Sequence, residues 1–152
     1  AQLGLAKDDP ANRSLAVAGN TLAIALEEKE SRTYVEIELM ILAAETGRKF
    51  WEIAGTWLQV ERAEYRLSHT YMKAGDLKKA LEHAQNCIEV VMDNSAPALE
   101  LFFGYEGLAK VEKMRQNKGG FEMAVQHAEE YYIKLSDGDK VWCEKSLIEL
   151  KK

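Results

Sequence analysis

The residue pair best suited to metal chemistry is His83 with Cys87. The two are four positions apart, so on a helix they would present two soft ligands on one face. Cys87, however, occupies a small-residue position at which two helices touch, and this favours a structural thiol. His127 is interpreted as a surface or inter-helix residue. We therefore predict no metal site.

The sequence carries none of the common catalytic motifs. Gly119-Gly120 has no following Lys-Ser/Thr, so it indicates a helix break and not a phosphate loop. There is no G-x-S-x-G, H-E-x-x-H or calcium-loop pattern. Glu82 and His83 are adjacent and point apart, unlike the Glu-x-x-His pair of ferritin-like sites. No catalytic residue and no cofactor are predicted. Solvated charge is the interpretation for the other acidic runs: Glu27, Glu28, Glu30, Glu129 and Glu130.

Composition narrows the class of partner. The chain of 152 residues is 47% hydrophobic and 30% charged, with a net charge of −5. Nucleic-acid binders usually show a basic excess, so nucleic acid is not expected. No run approaches the roughly 18 apolar residues of a membrane helix, and the first residues lack the pattern of a signal peptide. Two isolated cysteines do not make a disulfide framework. We expect a cytoplasmic protein that binds neither nucleic acid nor membrane.

Helical periodicity covers most of the chain and must position any site. Apolar residues recur at three- and four-residue steps between capping signals such as Thr33, Thr56 and Gly75. No stretch alternates with a period of two, so no sheet is predicted. The expected helices cover 10–28, 33–55, 56–75, 76–94, 97–118, 121–135 and a short segment after the 137–139 turn. The periodic apolar residues of the first two are Leu15, Ala18, Leu22, Leu26, Val35, Leu39, Leu42 and Phe50.

The helices repeat in pairs. One set of residues, Leu67, Tyr71, Ala80, Ala84 and Cys87, recurs 44 positions later as Val111, Arg115, Ala124, Ala128 and Tyr131. It recurs 45 positions earlier as Leu22, Leu26, Val35, Leu39 and Leu42. Gly75 and Gly119 correspond in the same way. A single helix hairpin cannot bury its apolar face alone, so hairpins with such a repeat stack and share a core.

The middle unit resembles a tetratricopeptide repeat. The resemblance rests on Leu67-Ser68-x-x-Tyr71, Gly75-Asp76 and the small residues at 80, 84 and 87, and it is best over 61–94. Glu64 stands where the family has an aromatic residue, and the repeat is longer than the usual 34 residues. The resemblance implies an all-α fold of stacked antiparallel helix hairpins in an α-α superhelix. Residues 1–152 would form one such domain of about three pairs, closed by a C-terminal capping helix carrying Val141, Trp142 and Leu147.

The resemblance also implies where a partner binds, because the first helix of each pair lines a concave groove in that family. A groove of this kind would suit an acidic segment or a C-terminal carboxylate, since arginine can hold a carboxylate with two parallel bonds. Asn20 and Lys110 match two positions of the family's carboxylate clamp, with Arg66 where asparagine is usual. The predicted partner-binding residues are Asn20, Arg62, Tyr65, Arg66, His69, Met72, Lys73, Lys110, Lys113 and Asn117, and the same faces carry Ile24, Glu27, Glu106, Ala109 and Gln116.

Three classes of function stay open at this point. A homodimer is compatible with each of them. The first is an interaction module that binds a protein or peptide in its concave groove. The second is a regulatory helical-repeat domain that senses a small molecule or signalling peptide, which a pocket with convergent Arg, His and Tyr would favour. The third is an enzyme whose site only the fold assembles. Aromatic residues offer a second candidate surface, although an inter-repeat core is the favoured interpretation for them: Phe50, Trp51, Trp57, Phe102, Phe103 and Tyr105.

Overall fold

The computed structural model describes residues 4–152. Over these residues the protein is all-helical, with seven helices and no strand, which confirms the predicted fold class. No helix in this part of the chain combines the length and the apolar character needed to cross a bilayer. The helices are α1 (Ala11–Glu27), α2 (Tyr34–Ala54), α3 (Trp57–Ala74), α4 (Leu77–Met92), α5 (Ala98–Met114), α6 (Lys118–Ile133) and α7 (Asp137–Leu150).

Side-chain caps fix where the helices begin. Thr33 and Thr56 both form capping boxes, the first with Glu36 and the second with Gln59, as predicted. Each box satisfies backbone N–H groups that have no partner inside the helix. Gly75 ends α3 in the left-handed conformation, with φ of 83°, which a glycine adopts without steric cost.

The helices pack as a bent stack of hairpins. The pairs α1–α2, α3–α4 and α5–α6 form the hairpins, and α2–α3 and α4–α5 join each hairpin to the next. The first helices also approach one another, α1 against α3 and α3 against α5, whereas no Cα atoms of α2, α4 and α6 come within 8 Å of one another in residues 4–152. A stack whose first helices lie closer together bends towards them. The helices α1, α3 and α5 therefore line the concave face.

Small residues bring α1 and α2 into unusually close contact. A Cβ atom added at Gly19 would lie 2.6 Å from the carbonyl oxygen of Ala43 and 2.8 Å from the backbone nitrogen of Gly47. Two helices at this distance leave no room for a larger side chain between them. The buried small residues along this contact are Ala16, Gly19, Ala23, Ala43, Ala44 and Gly47.

The prediction of the apolar face of this first hairpin was wrong for Ala18, which is exposed, and for five large residues. These five lie on the outer surface with exposures between 39% and 69%, because a contact as close as that of α1 with α2 admits only small side chains. Leu26, by contrast, is buried as predicted. The five exposed residues are Leu15, Leu22, Val35, Leu39 and Leu42.

The register of the repeat follows the helix caps and not the apolar residues. Asp76 and Asn117 are the N-caps of α4 and α6, and the residues before them, Gly75 and Gln116, both have positive φ. The two N-caps are 41 residues apart, and so are the two residues with positive φ. The predicted spacing of 44 residues is therefore wrong for these hairpins. Apolar residues also match at 44 because positions three apart share one helix face. Gly119-Gly120 lies inside the first turn of α6 and does not mark the break.

The last helix packs against the end of the third hairpin, and of the three residues expected in this contact Leu147 joins the apolar cluster there. It packs against α5 and α6, and it buries Cys143 and Leu150, with Leu147 half-buried. Val141 and Trp142, which were expected in this contact, are 76% and 66% exposed. They precede Cys143 by two and one positions, so the turn of the helix directs most of each side chain away from the buried face, although the Trp142 ring still meets Phe103 of α5.

Replacing Gly19 with alanine tests the close contact of α1 with α2. Alanine alone would favour the helix by up to about 1 kcal/mol, but its methyl group would collide with the backbone of α2. We expect Gly19→Ala to lower the free energy of unfolding by about 1–3 kcal/mol, measured by urea denaturation with circular dichroism. The matched control is Gly138→Ala in α7, where an added Cβ meets no atom within 4 Å. Equal stability of the two variants would contradict the close contact.

Candidate functional site

The concave face holds two cavities, one at each end of the α3–α5 contact. The aromatic cavity, of about 370 Å³, lies at the N-terminal halves of these helices and is closed on one side by α7. It is lined by Asn20, Glu61, Arg62, Tyr65, Arg66, Leu99, Glu100, Phe103 and Trp142. The lysine cavity, of about 400 Å³, lies at their C-terminal ends and is lined by His69, Met72, Lys73, Lys110, Lys113 and Met114.

Buried glutamates lie beneath the cations of the concave face. Glu27 is 7% exposed and Glu106 is 2% exposed, so the prediction that Glu27 is solvated was wrong. A buried carboxylate needs charged or hydrogen-bonding partners to offset its lost hydration. The partners of Glu27 are Arg66, at 2.8 Å, and the hydroxyl of Thr70, at 3.0 Å. Those of Glu106 are the hydroxyl of Tyr65 and the ammonium of Lys110, both at 3.0 Å.

Glu61 and Glu100 form a carboxyl pair at the wall of the aromatic cavity. Burial, together with the neighbouring carboxyl of Glu100, raises the pKa of Glu61 to about 9. Burial acts in the same direction on Glu100, but hydrogen bonds from Glu61 and Arg62 outweigh it and lower the pKa of Glu100. At neutral pH, Glu61 is therefore protonated and donates to the Glu100 carboxylate. Arg62 donates to the same carboxylate, with Nη2 2.6 Å from Oε1.

His69 is a neutral histidine that faces the lysine cavity. Burial, followed by the positive charge of Lys110, lowers the pKa of His69 to about 3. Its Nδ1 lies 3.1 Å from the carbonyl oxygen of Tyr65, so Nδ1 carries the proton and donates. Nε2 is left as a buried acceptor that has no partner within residues 4–152. The cavity therefore combines an unused acceptor with three lysine side chains.

The structure divides the predicted partner-binding residues into three groups. Arg62, Arg66 and Lys110 are engaged with buried glutamates, and Tyr65 donates to one of them. Lys73 and Lys113 form no ion pair within residues 4–152. Three more residues have mainly structural surroundings or line a cavity wall: Met72 is buried in the core cluster shared by α1 to α5, Asn117 is the N-cap of α6, and Asn20 lines the aromatic cavity.

The candidate metal pair does not converge on a common point. His83 Nδ1 lies 2.6 Å from Glu64, and Cys87 Sγ donates to Glu61 Oε2 over 3.3 Å. Burial raises the pKa of the Cys87 thiol far above its ordinary range, as do the nearby Glu61 carboxyl and the hydrogen bond to it. In the part of the chain that the structure describes, no three metal-ligating side chains form a cluster.

Sequence reasoning missed the two glutamates that shape the aromatic cavity, Glu61 and Glu100. One signal was present, because Glu61 and Glu64 share a helix face with Ser68 and Tyr71, which the repeat placed in the interior. The contribution of Trp142 to the cavity was missed as well. Its ring meets that of Phe103 edge to face, with centroids 5.3 Å apart, a contact between helices that no sequence spacing indicates.

The fold and the groove define this chain as an all-helical protein of stacked helix hairpins with a two-cavity concave face. No protein-family model, curated protein or solved structure matches it. The function must therefore be inferred from the chemistry of the two cavities.

The buried proton of Glu61 makes stability depend on pH. The folded protein keeps this proton up to about pH 9, whereas the unfolded chain loses it near 4.5, so its contribution to stability falls as pH rises between these values. Glu61→Gln cannot ionise. We expect its stability relative to wild type to increase with pH from 5 to 8, by at most about 1.4 kcal/mol per pH unit, in urea denaturation. The exposed Glu89→Gln serves as the control, and a difference independent of pH would refute the buried proton.

Proposed function

We propose that this protein is a divergent tetratricopeptide-like interaction module and that its concave face binds an acidic peptide segment. The observation that supports the proposal most directly is the lysine cavity. Lys73 and Lys113 line this cavity without an ion pair in residues 4–152, and Lys113 Nζ also lies 5.9 Å from the centre of the Phe121 ring. The other predicted cations of the groove are paired with buried glutamates. Lysine side chains held at a cavity favour an anionic group, and a peptide carboxylate is such a group.

The chemistry of His69 supports a peptide over a simple inorganic anion. Its unprotonated Nε2 can only accept a hydrogen bond, and it has no donor in the described residues. A backbone or side-chain N–H next to a carboxylate is the donor this nitrogen lacks. Met72 and Met114 supply soft apolar surface beside it, which adapts to varied side chains.

The separation of the two cavities sets the length of the bound segment. Arg62 lines one and Lys73 lines the other on the same helix, so their Cα atoms are roughly 16 Å apart at 1.5 Å per residue. An extended peptide rises about 3.3 Å per residue, so about five residues span the groove. The acidic residue or C-terminal carboxylate would lie at the lysine cavity.

A small-molecule sensor is the second candidate, and the aromatic cavity is the observation that favours it. Its volume is within the range of small-ligand sites, about 300–1,000 Å³. Arginine and tyrosine converge there, as that hypothesis required, but His69 lines the other cavity. The peptide proposal uses both cavities and is therefore preferred.

Reversing the charge of the two lysines without an ion pair, Lys73 and Lys113, tests the peptide proposal. A library of random seven-residue peptides with free C-termini would be selected on the wild-type protein, and we expect enrichment of Asp, Glu and the free carboxylate. Lys73→Glu/Lys113→Glu should weaken the selected peptides at least about tenfold, because two attractive contacts become repulsive. The Kd would be measured by fluorescence anisotropy at low and physiological salt, since charge attraction is screened by salt.

The matched control carries the same change of charge on other faces of the protein. Lys78 in α4 and Lys145 in α7 are both exposed, and Lys78→Glu/Lys145→Glu should leave the Kd within about twofold of wild type. Circular dichroism would establish that all variants fold. Selection without acidic enrichment, or equal binding to both double variants, would reject the lysine cavity as the peptide site.

A further inference from the structure

The wall of the aromatic cavity contains a buried carboxyl pair that shares one proton, Glu61 and Glu100. Glu61 is only 2% exposed, and its Oε1, which carries the proton donated to Glu100, receives no hydrogen bond from a nitrogen or hydroxyl group in the described residues. The nearest guanidinium, that of Arg62, is 3.9 Å away. The other oxygen, Oε2, accepts from the thiol of Cys87. A ligand that carries a charged N–H donor into the cavity would take the place of the proton shared by the two carboxyls.

The charges around this oxygen identify the donor as a cation. The groups that face Glu61 are Arg62 on its own helix, Glu100 on α5 and the Cys87 thiol on α4. Arg62 is 58% exposed and already neutralised by Glu100, so its charge lies at the rim of the cavity. If Glu61 ionises, the two carboxylates of Glu61 and Glu100 face only the one positive charge of Arg62. One added positive charge then restores neutrality. A bound cation would therefore replace the proton that the two carboxyls share.

The walls of the cavity favour an organic cation over a metal ion. Three rings line it, those of Tyr65, Phe103 and Trp142, and aromatic faces attract ammonium groups. The volume of about 370 Å³ accommodates a chain of several carbon atoms. Residues 4–152 hold no cluster of three metal-ligating side chains. The carboxyl groups in this cavity number only two, and one of them is already bound to arginine.

We propose that the aromatic cavity binds a primary ammonium group carried on a short apolar chain, with Glu61 and Glu100 as its acceptors and the three rings around the chain. Binding releases the proton held between the two carboxyls. Affinity therefore increases with pH as that proton becomes easier to remove, as long as the amine stays charged.

The ammonium has two sources, a free amine or a lysine side chain of a bound peptide. The second source deepens the proposed peptide function and rests on it, whereas the first does not. Both share the same chemistry at Glu61, so a small probe tests the cavity independently of the lysine cavity, and a peptide pair then separates the sources.

The test uses n-hexylamine as the probe and 1-hexanol as its uncharged counterpart. Isothermal titration at pH 6, 7 and 8, in two buffers of different ionisation enthalpy, measures both the Kd and the protons released. We expect hexylammonium to bind at least about tenfold more tightly than hexanol, with release of up to one proton at pH 7. Glu61→Gln should abolish the proton release and lose about tenfold in affinity. Trp142→Ala, at an exposed position, should weaken both probes, and Glu89→Gln should change neither.

Two outcomes would overturn the proposal: hexanol binding as tightly as hexylammonium, or Glu61→Gln binding hexylammonium like wild type. Two peptides from the acidic selection then distinguish a free amine from a peptide lysine as the source of the ammonium group. The two peptides differ at one position, about five residues before the acidic end, where one has lysine and the other norleucine. Tighter binding of the lysine peptide, lost in Glu61→Gln but with the acidic contact intact, indicates a peptide side chain. Equal binding of the two peptides, with hexylammonium still bound, indicates a free amine. Failure of the acidic selection with retained amine binding would reject only the peptide function.

Discussion

The burial of glutamates along the inner helices is the constraint on which the groove depends. Glu27, Glu61, Glu100 and Glu106 all lie under the concave face with exposures of 8% or less. An uncompensated buried charge costs about 3–5 kcal/mol, so each carboxyl requires a partner on a neighbouring helix or a retained proton. The arginines, tyrosine and threonine that supply these partners join α1, α3 and α5 across the groove. The same ion pairs and hydrogen bonds therefore hold the hairpins together and make the groove polar.

This arrangement gives the two ends of the groove opposite chemistry. At the N-terminal halves of α3 and α5, carboxyls outnumber the free cations, and aromatic rings from α5 and α7 enclose the space above them. At the C-terminal ends, lysines remain without carboxylate partners in residues 4–152, and they also lie where the helix dipole favours positive charge. A groove with an acceptor end and a donor end would give the proposed peptide a direction.

Most of the fold could be predicted because its signals are local. The capping boxes at Thr33 and Thr56, and the glycine at 75, act within one helical turn, and the structure keeps all of them. The predictions of repeat register and of residue burial failed where they depended on contacts between helices. The 44-residue spacing aligned one face of the helices but placed the helix caps at the wrong positions. The leucines of α1 and α2 were predicted to lie in a core, but the close contact between these helices has room only for alanine and glycine.

The sequence by itself determined the helical class and the number of helices, because periodicity and capping are properties of neighbouring residues. That Arg62, Arg66 and Lys73 share an inner face was implied only by the resemblance to a tetratricopeptide repeat. Only the tertiary structure decided which of these cations are free. Arg62 meets Glu100 from 38 positions away, and Arg66 meets Glu27 from 39, and such pairings follow from how hairpins stack. The same holds for the carboxyl pair of Glu61 and Glu100, because a glutamate that would be solvated on an isolated helix becomes buried only when a second helix covers it.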